Sequence, residues 1–330
     1  MRPVSEPSAP GAPSTCAPPA FRDPRWRREV LGWALPALAG HGLRLTGAVE
    51  QPRVRPWSTL LRLPTSGGPV WLKALAAGTR YEAALLAALA RHGVDAVPRP
   101  LAVEAERGWV LLPDGGPVLR DAAGGQDAGW AAWESLLVRY GALQRAVAPL
   151  ADELLALGVP DVRPAAVPGY LERLLEDPGV VAPEPARRVR ALLPRVREWC
   201  AALDEGPCAT LQHDDLHDGN VLARDGTVID WGDASVAHPF STLLVVRRVL
   251  LDRHPGEPHR VRRVVDAYLE GWDGDPAALR ALVPVAERVG CVGRALAWQR
   301  ALTGPGVEPA PGHLEAPGAW LQELLAEPVA

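Results

Sequence analysis

The sequence predicts an α+β protein, in which a small antiparallel sheet near the start is followed by a larger, mainly helical part. Three strand-like segments follow one another at residues 43–49, 57–63 and 70–73, with a turn-forming run before the third. From Trp130 onward, large apolar residues recur at helical spacing. A dense polar stretch at residues 211–233 stands apart from both patterns, and we expect the chemistry there.

Length and composition limit what the chain does. With 330 residues, 48% apolar and 22% charged, it is long enough to bury a core and typical of a soluble protein. A net charge of −4 at pH 7 argues against nucleic acid as the main partner. The four cysteines show no metal-ligand spacing, no apolar run reaches the ~18 residues of a membrane span, and no secretory signal is recognisable. We therefore expect a cytoplasmic protein without a nucleic-acid or membrane partner, of unknown oligomeric state.

The first third of the chain contains a tail, a helix and the sheet. Residues 1–20 are rich in Pro, Ala and Ser and are expected to form a disordered tail. Residues 24–38 have the spacing of an amphipathic helix that leads into the fold. Lys73 ends the third predicted strand, a helix follows at residues 79–92, and residues 109–112 form a final apolar strand.

The rest of the chain is expected to be helical. Residues 114–117 are a Gly- and Pro-containing connection between the last strand and the helices. Trp130 and Trp133 open a helical pattern and are expected in the core rather than against a cofactor. Further helices are predicted at residues 170–175, 185–203, 241–251, 261–268, 276–299 and 320–325.

A short hairpin is predicted inside the polar stretch. Residues 221–230 read as two short strands joined by an Asp-Gly turn, in which both turn residues need positive φ. In that register Val221 faces Asp230, so Asn220 and Asp230 meet at the open end of the hairpin. Asp215 lies five residues before Asn220 on a loop. Carboxylate and amide oxygens placed together suit Mg²⁺ carrying phosphates.

Three rare residues point to the same region. The chain contains 34 Arg but one Lys, Lys73, together with one Asn, Asn220, and one Ile, Ile229. Arginine replaces lysine on a solvated surface, but not where a compact ammonium is required. The retention of a lone lysine at the end of a sheet strand therefore indicates a phosphate-binding role.

Two motifs in the polar stretch resemble those of the aminoglycoside phosphotransferase family, which groups small-molecule kinases with a protein-kinase-like fold. The resemblance covers roughly residues 40–300 and is strongest in the C-terminal part. The paired motifs are specific, whereas either one alone is weak. They read His213-x-Asp215-x-x-x-x-Asn220 and Ile229-Asp230-Trp231-Gly232-Asp233.

The resemblance implies a two-lobed protein-kinase-like fold. Residues 21–113 would form the nucleotide-binding lobe, residues 114–117 the hinge, and residues 118–330 a helical lobe with the catalytic loop and the acceptor site. The implied activity is Mg²⁺-dependent transfer of the γ-phosphate of ATP or GTP to a hydroxyl of a small molecule, aminoglycoside-like or other.

The resemblance also implies roles for single residues. Asp215 would be the catalytic residue that orients the acceptor hydroxyl, and Lys73 would bind the nucleotide phosphates. Asn220 and Asp230 would hold Mg²⁺ and, through it, the nucleotide. Glu82 has two readings that do not exclude each other, either the helix glutamate that pairs with Lys73 or part of a capping box at the helix start.

Neighbouring residues of the polar stretch are expected to support these groups. His213 would brace the catalytic loop through hydrogen bonds, and Asp233 would brace the loop after Asp230. Asp218 is expected to be a turn residue, while His217 is either a brace or a surface residue.

The sequence departs from the family in two places. Residues 50–56, expected as the loop over the phosphates, contain no glycine, so the phosphates would be met by Arg53, Arg55 or Ser58, or the loop is a solvated basic turn. Asp214 stands where the family usually has Gly, so the backbone of the catalytic loop is expected to differ there.

Two other functions and one acceptor class remain open. A catalytically silent, kinase-like binding or regulatory protein would explain the missing glycines. A metal-dependent hydrolase would use His213, Asp215 and His217 as alternating metal ligands. The acidic segment at residues 266–275 either attracts an amino-bearing acceptor or is a solvated helix end.

Overall fold

A five-stranded antiparallel sheet with three helices makes up the first part of the protein, the sheet lobe. The computed structural model describes residues 19–124, 128–304 and 310–326, so most of the predicted tail lies outside the described residues. The strand order is β1-β2-β3-β5-β4. The strands are β1 Glu50–Val54, β2 Ser58–Thr65, β3 Gly68–Leu75, β4 Ala102–Glu104 and β5 Trp109–Pro113.

Three helices complete this sheet lobe: α1 Pro19–Arg22, α2 Pro24–Gly40 and α3 Tyr81–Arg91. Helix α2 buries Val30, Ala34 and Leu38, spaced four residues apart, against a core shared with the apolar residues of β2, β3 and β5. Its start is capped by the Asp23 carboxylate, which accepts a hydrogen bond from the Arg25 backbone N–H. Helix α2 therefore covers one face of the sheet and leaves the other toward the helical lobe.

The predicted first strand at residues 43–49 is wrong. Within it, only Leu45 forms an isolated bridge, to Thr65, and β1 instead covers Glu50–Val54, most of the segment predicted as the phosphate-covering loop. This segment is polar and contains Pro52, and this combination led to the prediction of a loop. As an edge strand, however, β1 tolerates a proline that donates no ladder hydrogen bond.

The second part, the helical lobe, follows β5 and contains most of the helices. Residues 114–117 connect the two lobes, and their role as a hinge stays a prediction. The helix predicted at residues 185–203 is divided in two at Leu192, before a proline in the first turn of the second helix. The helices are α4 Leu119–Ala122, α5 Trp130–Val147, α6 Ala151–Ala156, α7 Val167–Glu176, α8 Pro183–Ala191, α9 Leu193–Asp204, α10 Leu243–Arg253, α11 Pro258–Leu269, α12 Pro276–Leu302, α13 Pro311–Leu314 and α14 Ala316–Gln322.

A small second sheet holds both ends of the polar stretch. Its strands are β6 Asp161–Val162, β7 Thr210–Gln212 and β8 Ser235–Ala237, in the order β6-β8-β7. Strands β7 and β8 are antiparallel, so the chain leaves this sheet at residue 213 and returns to it at residue 234. The sheet was not predicted, because strands of two or three residues carry no readable periodicity.

The two lobes contact each other around the cleft. The Tyr81 hydroxyl at the start of α3 donates to the backbone oxygen of Gly232 over 2.5 Å and lies 2.9 Å from that of Ala234. At the β1–β2 turn, the Trp57 ring packs against Trp298 of α12 and His313 of α13, with ring centroids 5.7 and 5.4 Å away. These contacts confirm a two-lobed α+β arrangement with the predicted motifs between the lobes.

Candidate active site

Lys73 lies on the central strand of the sheet and faces the cleft. Its side chain is only 5% exposed, and its Nζ lies 2.7 and 2.6 Å from the two carboxylate oxygens of Glu82. The same Nζ lies 2.5 Å from Oδ1 of Asp230 in the polar stretch. One ammonium on the sheet therefore contacts both Glu82 of helix α3 and Asp230 of the polar stretch.

The structure decides between the two readings of Glu82. Helix α3 begins at Tyr81 without a side-chain cap, and the Thr79 hydroxyl instead donates to the backbone oxygen of Trp57. The capping box is therefore wrong, whereas the ion pair with Lys73 is present. Glu82 Oε1 also accepts the backbone N–H of Trp231, 3.2 Å away, which links α3 to the residue after Asp230.

Opposite charges determine the ionisation of this cluster. Burial by itself lowers the pKa of Lys73, but Asp230 and Glu82 outweigh it and raise the pKa above its ordinary value. Burial likewise opposes ionisation of Asp230, yet Lys73 and then Arg53 hold its pKa well below the usual range. Lys73 and Asp230 are therefore both charged, and each is paired. Burial raises the pKa of Glu82, the third member of the cluster, against the opposing effect of Lys73.

His213 braces the catalytic loop, as predicted. One ring nitrogen, Nε2, lies 2.8 Å from the backbone oxygen of Ile229, and the other, Nδ1, accepts the backbone N–H of Asp215 over 3.3 Å. Burial lowers the pKa of His213, so the ring is neutral. Because both nitrogens are engaged, His213 is not available to a metal. Across the part of the chain that the structure describes, no group of three His, Cys, Asp or Glu residues is arranged to hold one, so His213, Asp215 and His217 do not form the metal site expected for the hydrolase alternative.

Asp215 stands at the centre of the catalytic loop with its side chain 30% exposed. Its Oδ1 lies 3.4 Å from an Nη of Arg294 on α12, while its Oδ2 lies 3.4 Å from Asn220 Nδ2 and 3.5 Å from His217 Nε2. Burial raises the pKa of this carboxyl, but Arg294 and His217 more than compensate and hold it well below the usual range. Asp215 is therefore an ionised, oriented hydrogen-bond acceptor.

The hairpin has a different register from the predicted one. Val221 lies opposite Val228 rather than Asp230, and the Ile229 N–H donates to the backbone oxygen of Asn220. Residues 223–226 form the loop, in which only Gly226 has a positive φ, +71°. The longer loop shifts the pairing by two residues, so the side chains keep their faces and Asn220 stays at the open end near Asp230.

Asn220 and Asp230 carry the donor set that a magnesium ion would use. The Asn220 amide nitrogen donates to the backbone oxygen of Asp215 over 3.0 Å, so the amide oxygen is the atom left for a ligand. The Asp230 side chain is 29% exposed, and its backbone is left-handed, with a φ of +66°, a conformation that aspartate adopts more readily than most non-glycine residues. Two hard oxygens of this kind suit Mg²⁺, which takes one or two protein ligands and completes its shell with phosphate and water.

Asp214 adopts the backbone conformation that glycine favours. Its φ is +64°, and its buried carboxylate accepts a hydrogen bond from the Ser235 hydroxyl over 2.5 Å. Burial raises the pKa of Asp214 to about 6, against the opposing effect of Ser235. The aspartate thus occupies a position suited to glycine, at a cost in strain and desolvation.

Sequence reasoning missed the arginines that support the catalytic loop. Asp218, predicted to be a turn residue, is fully buried, and its carboxylate accepts hydrogen bonds from Arg120 and Arg253 at 2.6–3.2 Å. Arg294, which contacts Asp215, is anchored by Asp233 over 2.8 Å. Nothing in the sequence distinguishes these three arginines from the other 31.

The acidic segment at residues 266–275 is partly neutralised by its surroundings. Asp266 forms an ion pair with Arg280 of α12 at 2.6 Å. Asp275 caps α12 by accepting the Ala278 N–H over 2.8 Å. Only Glu270 and Asp273 remain without an assigned structural role, which weakens the expectation of a strong negative field there.

The sequence matches a known enzyme family over most of its length. The model of the phosphotransferase enzyme family matches residues 48–282, and no curated protein matches the chain. Among the residues that the structure describes, no helix is both long and apolar enough to cross a membrane.

Similar solved structures agree on the fold. A macrolide 2′-phosphotransferase of type I matches with a TM-score of 0.57 at 18% identity, covering 88% of this chain and 96% of that one. An aminoglycoside phosphotransferase in complex with GDP and kanamycin matches with the same TM-score and identity, covering 89% and 97%. A choline/ethanolamine kinase family protein from Mesorhizobium loti matches with a TM-score of 0.56 at 16% identity, covering 91% and 96%.

Proposed function

Because this chain belongs to the phosphotransferase enzyme family and is a small-molecule phosphotransferase, we propose that it transfers the γ-phosphate of ATP or GTP to an alcohol group. The reaction would depend on Mg²⁺. The observation that carries the proposal is the meeting of Lys73 and Asp230 at 2.5 Å across the cleft, with Asp215 and Asn220 on the adjoining loop.

Each of these residues has a task in phosphoryl transfer, which depends mainly on positioning and charge stabilisation. Lys73, held by Glu82, supplies a compact positive charge for the nucleotide phosphates. Asn220 and Asp230 would hold Mg²⁺, which supplies charge neutralisation on the phosphate oxygens. Asp215 accepts the hydrogen bond of the acceptor hydroxyl and orients it toward the phosphate.

We propose a hydroxylated small molecule as the acceptor, aminoglycoside-like or of another class, in the helical lobe beside Asp215. Two of the similar solved structures are phosphotransferases of macrolide and aminoglycoside type. We place the protein in the cytoplasm, where nucleoside triphosphates are abundant and free thiols such as Cys200 stay reduced. The net charge of −4 speaks against a nucleic-acid partner.

A phosphate-transfer assay tests the proposal. The protein is incubated with Mg²⁺ and [γ-³²P]ATP or GTP and a panel of macrolides, aminoglycosides, amino alcohols and sugars, and labelled products are separated from nucleotide. We expect a phosphorylated product with at least one acceptor, formed at least about 100-fold more slowly by Asp215→Ala. Triphosphate binding without transfer to any acceptor would contradict the proposal.

One observation favours the second candidate, a catalytically silent binding protein. Arg53 lies 3.5 Å from Asp230, on the carboxylate that would hold the metal. If this contact persists when nucleotide binds, Mg²⁺ loses part of its site. Measuring whether Mg²⁺ strengthens ATP binding discriminates the two, because a silent protein of this kind binds nucleotide independently of the metal.

A further inference from the structure

The β1–β2 turn, which is expected to lie over the phosphates, offers few backbone donors. It consists of residues 55–57, and the N–H of Arg55 is already bonded to the backbone oxygen of Ser58 over 2.8 Å. Pro56 has no N–H. Backbone amides are the usual way in which a loop holds phosphate, so this turn leaves the phosphates in need of another donor.

The strand register places a second cation beside Lys73. Arg53 of β1 pairs with Leu60 of β2, and Leu60 pairs with Lys73 of β3. Residues directly opposite each other on paired strands project from the same face of a sheet. The side chains of Arg53 and Lys73 therefore lie on the face that borders the cleft, two strands apart.

The backbone under Arg53 is fixed, but its guanidinium is only partly satisfied. The Thr59 hydroxyl donates to the backbone oxygen of Arg53 over 2.8 Å, and Gln51 in turn donates to Thr59. The guanidinium makes one long contact, 3.5 Å, with Oδ2 of Asp230 and has a buried Nε without a hydrogen-bond partner. Its side chain remains 37% exposed to the cleft.

We propose that Arg53 is a phosphate-binding residue, which supplies to the nucleotide triphosphate the donors that the glycine-free turn lacks. The inference rests on the proposed function, since it assigns a ligand to the same cleft. Arg53 and Lys73 approach opposite oxygens of Asp230 in the structure, Oδ2 and Oδ1 respectively. A triphosphate entering between them has a cation on each side.

This arrangement gives Arg53 two alternative partners. Without nucleotide, its guanidinium balances the charge of Asp230, which would otherwise be paired with Lys73 alone. With nucleotide, the phosphate oxygens accept its N–H groups, and the Asp230 Oδ2 becomes free for Mg²⁺. The planar fork of arginine suits phosphate oxygens better than the single long contact that it makes with Asp230.

Nucleotide binding by Arg53→Met tests the proposal. Wild type and variant are titrated by calorimetry with Mg²⁺ and the nucleoside, diphosphate and triphosphate of the preferred base. Loss of a charge-assisted hydrogen bond is expected to weaken triphosphate binding about 10- to 100-fold and diphosphate binding less, without changing nucleoside binding. Arg53→Lys is expected to recover part of the loss, because it keeps the charge without the fork.

The matched control is Arg62→Met, which removes an arginine of the neighbouring strand β2. Arg62 lies two residues from Leu60, the partner of Arg53, and forms a solvated ion pair with Glu50. Equal triphosphate affinity in wild type and Arg53→Met would overturn the proposal, as would an equal loss for nucleoside and triphosphate, which indicates a misfolded sheet. If triphosphate binding depends on Arg53 but no acceptor is ever phosphorylated, the proposed function fails and the assignment of Arg53 stands.

Discussion

The two carboxylates of the cleft, Asp230 and Asp215, are neutralised from opposite lobes. The cations nearest to Asp230 are Lys73 and Arg53, both on the sheet. The cation nearest to Asp215 is Arg294, on α12 of the helical lobe. The ion pairs of Asp230 therefore link the two lobes, whereas the ion pair of Asp215 with Arg294 lies within the helical lobe.

We expect this difference to separate nucleotide binding, which would involve Asp230, from phosphate transfer, which would involve Asp215. Any movement of the sheet lobe on nucleotide binding would change the surroundings of Asp230, because its partners Lys73 and Arg53 lie on the sheet. We expect the partners of Asp215 to be affected less, since Arg294 is anchored by Asp233 and the loop is braced by His213. We therefore expect substitutions around Asp230 to alter nucleotide affinity, and substitutions around Asp215 to alter turnover.

The largest effect is expected from Asp215→Ala. Because Asp215 contacts no cation of the sheet lobe, nucleotide affinity should remain close to wild type while turnover falls by about 10²- to 10⁴-fold. Turnover is measured by phosphate transfer and affinity by calorimetry. A variant that keeps more than about a tenth of wild-type turnover would rule out this role for Asp215.

The metal ligands should give the reverse pattern. Asp230→Ala removes a charged oxygen ligand and the partner of Lys73, so Mg²⁺-dependent nucleotide binding should weaken by about 10- to 100-fold. Asn220→Ala removes a neutral ligand and should have a smaller effect. Titrations with nucleotide at several Mg²⁺ concentrations measure this, and an unchanged Mg²⁺ dependence in both variants would show that neither residue holds the metal.

Arg294→Met probes the cation on the Asp215 side. Losing its charge-assisted contact should lower kcat by about tenfold, since Asp215 is no longer held in one orientation, and nucleotide affinity should not change. The matched control, Arg288→Met, removes an arginine of the same helix that donates to the backbone of Ala326, and should leave kcat at the wild-type value. Weaker nucleotide binding in Arg294→Met would contradict the separation between the two carboxylates.

A smaller effect, on stability alone, is expected from the carboxylate next to Asp215. The folded state raises the pKa of Asp214 from 3.8 to about 6, so folding takes up a proton between these values. The associated stability is present below the ordinary pKa and is lost as pH rises through 6. Asp214→Asn keeps an acceptor for Ser235 and tolerates positive φ, so it should raise the free energy of unfolding by about 2 kcal/mol at pH 8 and by little near pH 4.

Chemical denaturation at a series of pH values measures the effect of Asp214→Asn. The control is Asp95→Asn, because the Asp95 side chain is 96% exposed and its substitution should not change stability with pH. A gain from Asp214→Asn that is equal at pH 4 and pH 8 would show that relief of backbone strain, and not of a buried charge, is responsible.

The smallest effect is expected in the acidic segment. Glu270→Gln combined with Asp273→Asn should change the KM of an amino-bearing acceptor by less than about twofold, because exposed charges are screened and Asp266 is neutralised by Arg280. The KM is measured at low and high salt. A severalfold rise at low salt would restore the acidic segment as an attractive surface for a cationic acceptor.

The partners of Asp230 were easier to predict from the sequence than the partner of Asp215. Lys73, Asn220 and Asp230 were identifiable because two of them are the sole representatives of their residue types and all suit one chemistry. Arg53 was one of several open candidates. Arg294 could not be identified, because its role arises from a helix that folds back onto the catalytic loop, and among 34 arginines no local pattern marks it.

The fold was predictable where the periodicity was long. Helices such as α2 and α12 carry several turns of apolar spacing, and along most of β2 buried and partly buried residues alternate. The two edge strands β1 and β4 and the three short strands of the second sheet escaped prediction, because the tertiary structure, and not local preference, makes them strands. The hairpin was found with the wrong turn, since an Asp-Gly pair also fits the end of a longer loop.

Because Lys73 is buried, chemical modification of its amine can measure how accessible the cleft is. Lys73 carries the only lysine ε-amino group of the chain, and its side chain, 5% exposed between two carboxylates, is shielded from acylating reagents. We therefore expect the rate at which an acetylating reagent modifies this amine to report how often Lys73 becomes exposed. A bound triphosphate should slow that reaction, and mass spectrometry measures the acetylated fraction of the one peptide that contains Lys73.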